Sequence, residues 1–75
     1  MRKYTNIISG YLVELEVFEG ESQCFVEYND KGTFYSASLA ALDATGELES
    51  RTGKPRRVPT STIDRITDWA VTRGY

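Results

Sequence analysis

The chain of 75 residues contains no histidine, and this absence excludes several common catalytic designs. Acid–base catalysis by histidine, Ser-His and Cys-His nucleophile pairs and zinc sites with histidine ligands all require that residue. The single cysteine, Cys24, cannot form an internal disulfide bond or a cysteine-rich metal site. We therefore expect a protein that is not an enzyme, with no catalytic residues, no metal and no cofactor.

Long apolar runs are also missing. The basic start at residues 1–3 is typical of a signal peptide, but Thr5, Asn6, Ser9 and Gly10 interrupt the apolar residues that follow it. No segment reaches the length of a membrane span, which needs roughly 20 apolar residues. Since a lone cysteine also suits a reducing compartment, we expect a cytoplasmic protein with no membrane partner.

The composition that remains is that of a small folded domain. Hydrophobic residues make up 40% of the chain and charged residues 27%, with a net charge of −2. These proportions are ordinary for globular proteins and differ from those of disordered chains. We expect residues 1–75 to form a single small domain.

Apolar and polar residues alternate in three consecutive segments, which is typical of half-buried β-strands. These segments are residues 11–18, 23–28 and 33–39, and residues 19–22 and 29–32 between them favour turns. If both separators are four-residue loops, the register collects the apolar residues on one face of a meander. The residues on this face are Tyr11, Val13, Leu15, Val17, Cys24, Val26, Tyr28 and Tyr35.

Two further segments allow more than one interpretation. Residues 38–42 either extend the third strand or form a helical turn capped by Ser38, and residues 43–46 are predicted as a turn in both cases. Residues 47–49 are predicted as a short fourth strand. Residues 1–9 form either an additional strand or an arm.

A helix is predicted for residues 61–73, at the end of the chain. Ser61 and Asp64 have the spacing of a capping box, and Ile63 and Ile66 place apolar side chains on one helical face. The predicted fold is therefore α+β, with an antiparallel β-meander of three to four strands and one C-terminal α-helix packed on its apolar face.

The face of the predicted sheet away from the helix is the strongest candidate for a binding site. It combines phenylalanine rings with glutamates, and a small monomer rarely leaves such a patch uncovered. Glu14 is predicted directly opposite Glu27, which is destabilising and favours a basic partner. The candidate partner-binding residues are Glu14, Glu16, Phe18, Phe25, Glu27 and Phe34.

Three occupants of this face are consistent with the sequence. A protein partner with a basic surface would complement the glutamates, and a second copy of the chain would make a homodimer. The third occupant is intramolecular, because Tyr4, Ile7 and Ile8, or residues 38–58, could fold over the rings.

A second candidate site is the basic loop at residues 51–57. It holds four of the nine basic residues of the chain and no acidic residue. Basic loops bind phosphate groups through their charge, although most of them are simply solvated. The candidate phosphate-binding residues are Arg51, Lys54, Arg56 and Arg57.

The order of the predicted elements over residues 11–70 resembles that of the Whirly and positive-cofactor-four proteins, which bind single-stranded nucleic acids. The shared features are the β-β-β-β-α order, a Gly-Glu-Leu segment at residues 46–48 and a basic loop. Those families place basic and aromatic residues on the binding sheet, whereas this chain has Glu14, Glu16 and Glu27 there. Since acidic strands repel phosphate, contact with nucleic acid would depend on the basic loop alone.

The function expected from the sequence is that of a non-catalytic protein-binding module, such as a small regulator, inhibitor or adaptor. It would dock its partner through the acidic and aromatic sheet face or through an edge strand. One alternative is a single-stranded nucleic-acid-binding domain that uses residues 51–57. A second alternative is a structural subunit of a homo-oligomeric assembly.

Overall fold

Six antiparallel strands, arranged side by side in chain order, form one sheet in the computed structural model, which describes residues 1–75. One helix lies between the fourth and fifth strands, and the other follows the sixth. Neither helix is long and apolar enough to cross a membrane. The elements are β1 (Arg2–Ile8), β2 (Tyr11–Phe18), β3 (Glu21–Asp30), β4 (Thr33–Ser38), α1 (Leu39–Thr45), β5 (Glu47–Ser50), β6 (Arg56–Arg57) and α2 (Thr60–Thr72).

This architecture is α+β, as predicted, but it contains more elements than the sequence indicates. The prediction has three to four strands and one helix, whereas the structure has six strands and two helices. β1 is hard to identify from periodicity because only Tyr4 and Ile8 among its residues pack on the core. β6 lies inside the predicted basic loop and pairs with β5, so that residues 51–57 are not a loop throughout.

The first three hairpins have two-residue turns, and the four-residue loops predicted for the second and third of them are therefore wrong. In the β3–β4 turn, Lys31 and Gly32 have φ values of 51° and 93°. Positive φ at both central residues is typical of a type I′ turn, whose twist matches that of paired strands and which favours glycine. The side chain of Asn29 also accepts a hydrogen bond from the Gly32 N–H at 2.9 Å.

The shorter turns change the register of the strands without changing their faces. The predicted pairing of Val13 with Tyr28 is wrong, because Val13 lies opposite Val26. In the next strand pair, Tyr28 lies opposite Tyr35. Each register is shifted by two residues from the prediction. Since side chains alternate with a period of two, every one of them stays on its predicted face.

Both helices pack on the same face of the sheet, which we call the inner face; the opposite face is the outer face. A cluster of 13 buried hydrophobic residues fills the space between the sheet and the helices. Val17, Tyr28 and Tyr35 are only partly buried against this cluster. The cluster consists of Ile8, Tyr11, Val13, Leu15, Cys24, Val26, Leu39, Leu42, Leu48, Val58, Ile63, Ile66 and Ala70.

The segment after β4 is the helix α1, one of the two structures that the sequence allowed there. The hydroxyl of Ser38 accepts a hydrogen bond from the Ala41 N–H at 3.1 Å and caps the first turn. At the other end, Gly46 has a left-handed φ of 75°, and its N–H donates to the Leu42 carbonyl at 2.7 Å. The turn predicted at residues 43–46 is wrong in its position, because helix α1 continues to Thr45.

Helix α2 begins and ends one residue before the predicted bounds. The carbonyl of Pro59 accepts hydrogen bonds from the N–H groups of Thr62 and Ile63, at 3.0 and 3.1 Å. The predicted capping box at Ser61 is therefore wrong, since this residue already lies inside the helix and no side chain caps it. The predicted apolar face is confirmed, because Ile63 and Ile66 are buried.

Candidate binding surface

The three phenylalanines lie on the outer face, where no other element of the chain covers them. Phe25 is 45% exposed and Phe34 is 51% exposed, whereas Cys24, the residue before Phe25, is 2% exposed. Phe18 is half-buried at the end of β2. The rings therefore lie on the side of the sheet away from the helices.

Two aliphatic side chains enlarge this apolar surface. Ile7 and Leu12 lie opposite each other in the β1–β2 pair and are 69% and 36% exposed. Sequence reasoning does not assign Ile7 to the surface, because it leaves β1 as either a strand or an arm.

The sequence allowed other parts of the chain to cover the phenylalanine rings, and the structure contradicts this alternative. β1 continues the sheet beside β2, and its residues Tyr4 and Ile8 pack on the inner face. In the other candidate cover, residues 38–58, α1 packs on the inner face through Leu39 and Leu42, and β5 extends the sheet. The outer face is consequently open along its central strands.

Two glutamates of the outer face contact each other. The predicted direct pairing of Glu14 with Glu27 is wrong, because Phe25 lies opposite Glu14 and Leu12 lies opposite Glu27. The two carboxyl groups are instead diagonal neighbours on β2 and β3. Burial raises the pKa of Glu27, and the neighbouring carboxyl group of Glu14 raises it further.

The outer face is acidic across its central strands. On β2, β3 and β4 the positions that point outward include four glutamates and no basic residue. Lys3 of β1 lies opposite Glu16. None of the four glutamates takes part in either of the two ion pairs of the chain. They are Glu14, Glu16, Glu21 and Glu27.

The predicted basic loop does not form one basic patch, because Arg56 points to the inner face. Its guanidinium carbon lies 4.1 Å from the centre of the Tyr28 ring. Its Nε donates a hydrogen bond to the Tyr11 hydroxyl at 3.4 Å, and its Nη1 lies 3.5 Å from the carboxylate of Asp30. These contacts separate Arg56 from the other candidate phosphate-binding residues and explain its partial burial.

The other three basic residues of this segment are exposed in different surroundings. The Arg57 side chain is 79% exposed and lies 4.0 Å from the carboxylate of Glu47. Arg51 lines a shallow depression together with Phe34, and Lys54 is exposed between β5 and β6. Three exposed basic side chains therefore remain for any contact with phosphate.

The only thiol of the chain lies in the core rather than at a surface site. Cys24 is 2% exposed on the inner face of β3. Burial raises the pKa of its thiol to about 11. Because the thiolate is the reactive form, this cysteine is a poor nucleophile near neutral pH.

Comparison of the chain with protein-family models, with curated proteins and with solved structures finds no match. The structure also departs from the β-β-β-β-α order that the sequence shares with the Whirly and positive-cofactor-four proteins. A strand precedes that order, α1 separates β4 from β5, and β6 precedes the last helix. The geometry of the outer face is therefore the best guide to function.

Proposed function

We propose that this protein is a non-catalytic binding module, a small regulator, inhibitor or adaptor, which docks a protein partner on the outer face of its sheet. The main support is the exposure of Ile7, Leu12, Phe25 and Phe34 on a face that no helix of the chain covers. Apolar patches of this kind mark interaction sites on small proteins. Aromatic side chains are also enriched at the centres of protein interfaces.

Charge favours a basic protein as the partner. The central strands of the outer face carry glutamates and no basic residue. A second copy that presented the same face would bring two acidic surfaces together, which is unfavourable. A basic surface would instead be attracted over a distance, and its association would be fastest at low ionic strength.

The free edge of β1 favours a second candidate function, that of a structural subunit in a homo-oligomer. β1 has seven residues and pairs with β2 alone, whereas the other edge strand, β6, has two residues. Exposed edges of this length can accept a strand from another chain. Light scattering tests this candidate, because a particle of one chain, 8.5 kDa, would contradict it.

Capture from a cell lysate, followed by mass spectrometry, tests the docking face. The baits are the wild-type chain, the variant Phe25→Thr/Phe34→Thr and the control Val71→Thr. Val71 is an apolar residue of α2 that is 56% exposed away from the outer face. Threonine is well tolerated in strands, so the double variant is expected to fold.

The proposal predicts that the wild-type and Val71→Thr baits retain the same proteins and that the double variant loses them. Circular dichroism of each bait confirms that it is folded. Equal capture by all baits would contradict docking on the outer face.

A further inference from the structure

A depression in the outer face places a carboxyl group among apolar side chains. Leu12 lies directly opposite Glu27 on β2, and Phe34 lies diagonally across from it on β4. Phe25 is the preceding residue of β3 on the same face. The residues that line the depression are Gly10, Leu12, Glu27, Tyr28, Asn29 and Phe34, and the opposed pair Glu14 and Phe25 lies next to it on the outer face.

Nothing in the chain neutralises this carboxyl group or its neighbour. Glu27 and Glu14 are diagonal neighbours on adjacent strands, and neither belongs to an ion pair. The positions on β2 and β4 directly opposite Glu27 hold Leu12 and Ser36, so Glu14 is the charged group that faces it. Two ionised carboxyl groups this close destabilise the folded protein unless one of them takes up a proton or a cation joins them.

We infer that this depression binds one arginine or lysine side chain of the partner, an inference that rests on the proposed docking function. The charged end of that side chain would lie between Glu14 and Glu27 and form charge-assisted hydrogen bonds. Its methylene groups would pack against Leu12, and the rings of Phe25 and Phe34 would contact the cation. A protein segment with a basic residue between apolar residues therefore fits the outer face.

Other cations fit the depression less well. A calcium ion takes about six to eight oxygen ligands, and the chain has no group of three or more residues of the metal-binding types. A small free amine would neutralise the carboxyl groups but would leave the rings of Phe25 and Phe34 exposed. A basic side chain within an apolar segment would neutralise the carboxyl groups, and the apolar residues beside it would cover the rings of Phe25 and Phe34.

Binding of synthetic peptides to the full chain tests this inference. Two random libraries of short peptides are identical except at the central position, which is arginine or lysine in one and the neutral analogue citrulline or norleucine in the other. The variant Glu14→Gln/Glu27→Gln removes the paired carboxylates. The control Glu19→Gln/Glu21→Gln removes the same charge from exposed residues outside the depression. Two-dimensional NMR spectra confirm that each variant is folded.

The expected result is a preference for the basic library. We expect selected peptides to bind at least about tenfold more tightly than their neutral analogues, as loss of a charged hydrogen bond implies. Glu14→Gln/Glu27→Gln should lose this preference, and Glu19→Gln/Glu21→Gln should keep it. An equal loss of this preference in the two variants would overturn the inference, because it would indicate a general attraction between the acidic protein and basic peptides.

Failure of the cation pocket and failure of the docking face give different results. If neutral peptides bind equally well and Phe25→Thr/Phe34→Thr abolishes their binding, the outer face still docks partners and the cation pocket is wrong. An absence of binders from both libraries also contradicts the pocket, and lysate capture then decides the docking function separately. The inference would also be overturned if the wild-type chain self-associates and Glu14→Gln/Glu27→Gln abolishes this self-association. The depression would then be occupied by a second copy of the chain.

Discussion

The guanidinium group of Arg56 lies over the ring of Tyr28, with 4.1 Å between the guanidinium carbon and the ring centre. Arg57, the next residue, points to the other side of β6 and remains largely exposed beside Glu47. Two adjacent arginines of one basic segment therefore have different roles. Arg56 packs against tyrosine side chains on the inner face of the sheet, and Arg57 is an exposed charge.

This difference predicts unequal effects on stability. Arg56→Ala removes the contact with Tyr28 and the bonds to Tyr11 and Asp30, and it should lower the free energy of unfolding by about 1–2 kcal/mol. Arg57→Ala, the matched control, should change it by less than about 0.5 kcal/mol. Urea denaturation of both variants measures the difference, and equal effects would contradict the assignment of Arg56 to the inner face.

The buried thiol provides a probe of the core. Because Cys24 is 2% exposed and its pKa is raised to about 11, it should not react with a thiol reagent in the folded protein. The test is made at about pH 8.5, the ordinary pKa of a cysteine thiol. Addition of denaturant should make the same thiol react rapidly. Rapid reaction of the folded protein would show that β3 presents Cys24 to solvent, and the assigned faces of the strand would then be wrong.

The contact between Glu14 and Glu27 predicts a stabilising substitution. The folded protein favours protonated Glu27, because its pKa is raised chiefly by burial. This contribution is complete below the ordinary glutamate pKa of about 4.3 and is lost as the pH rises through the pKa of Glu27 in the folded protein. Glu27→Gln cannot ionise, and its stability relative to the wild type should increase over that pH range, by up to about 1 kcal/mol.

Thermal unfolding of the wild type, Glu27→Gln and the exposed control Glu19→Gln across this pH range measures the effect. Glu19→Gln should follow the wild type. A constant difference between Glu27→Gln and the wild type at all pH values would contradict the raised pKa of Glu27 in the folded protein.

The charge distribution predicts weak contact with nucleic acid. The outer face is acidic, and Arg56 is held on the inner face, so that Arg51, Lys54 and Arg57 are the exposed basic residues of the segment. We expect no binding of a single-stranded oligonucleotide at an ionic strength of about 0.15 M, measured by fluorescence anisotropy. Salt-sensitive binding that Arg51→Ala/Lys54→Ala abolishes would favour the nucleic-acid function instead.

The faces of the central strands could be predicted from the sequence, but their register could not. Alternation assigns Cys24 and Val26 to one face and Phe25 to the other without any knowledge of the turns. The register depends on turn length, and the positive φ that Lys31 adopts is uncommon for a residue other than glycine. Because of this, the opposition of Glu14 to Phe25 becomes visible only in the structure.

Other features depend on contacts between distant parts of the chain. Leu39 and Leu42 suit either a strand or a helix, and the capped ends at Ser38 and Gly46 accompany the helix that packs into the core. The inward position of Arg56 depends on the pairing of β6 with β5, which two residues of local sequence cannot indicate. Apolar periodicity therefore assigns Phe18, Phe25 and Phe34 to the candidate surface, and the sheet order adds Ile7.

The most direct test of the outer face is a methyl NMR spectrum of the labelled chain with and without a captured partner. Ile7 and Leu12 report on the outer face, whereas Ile66 and Leu42 are 0% exposed in the core and serve as matched probes. Docking on the outer face predicts that the methyl signals of Ile7 and Leu12 shift or broaden while those of Ile66 and Leu42 keep their positions. Changes confined to α2 or to residues 51–57 would contradict it.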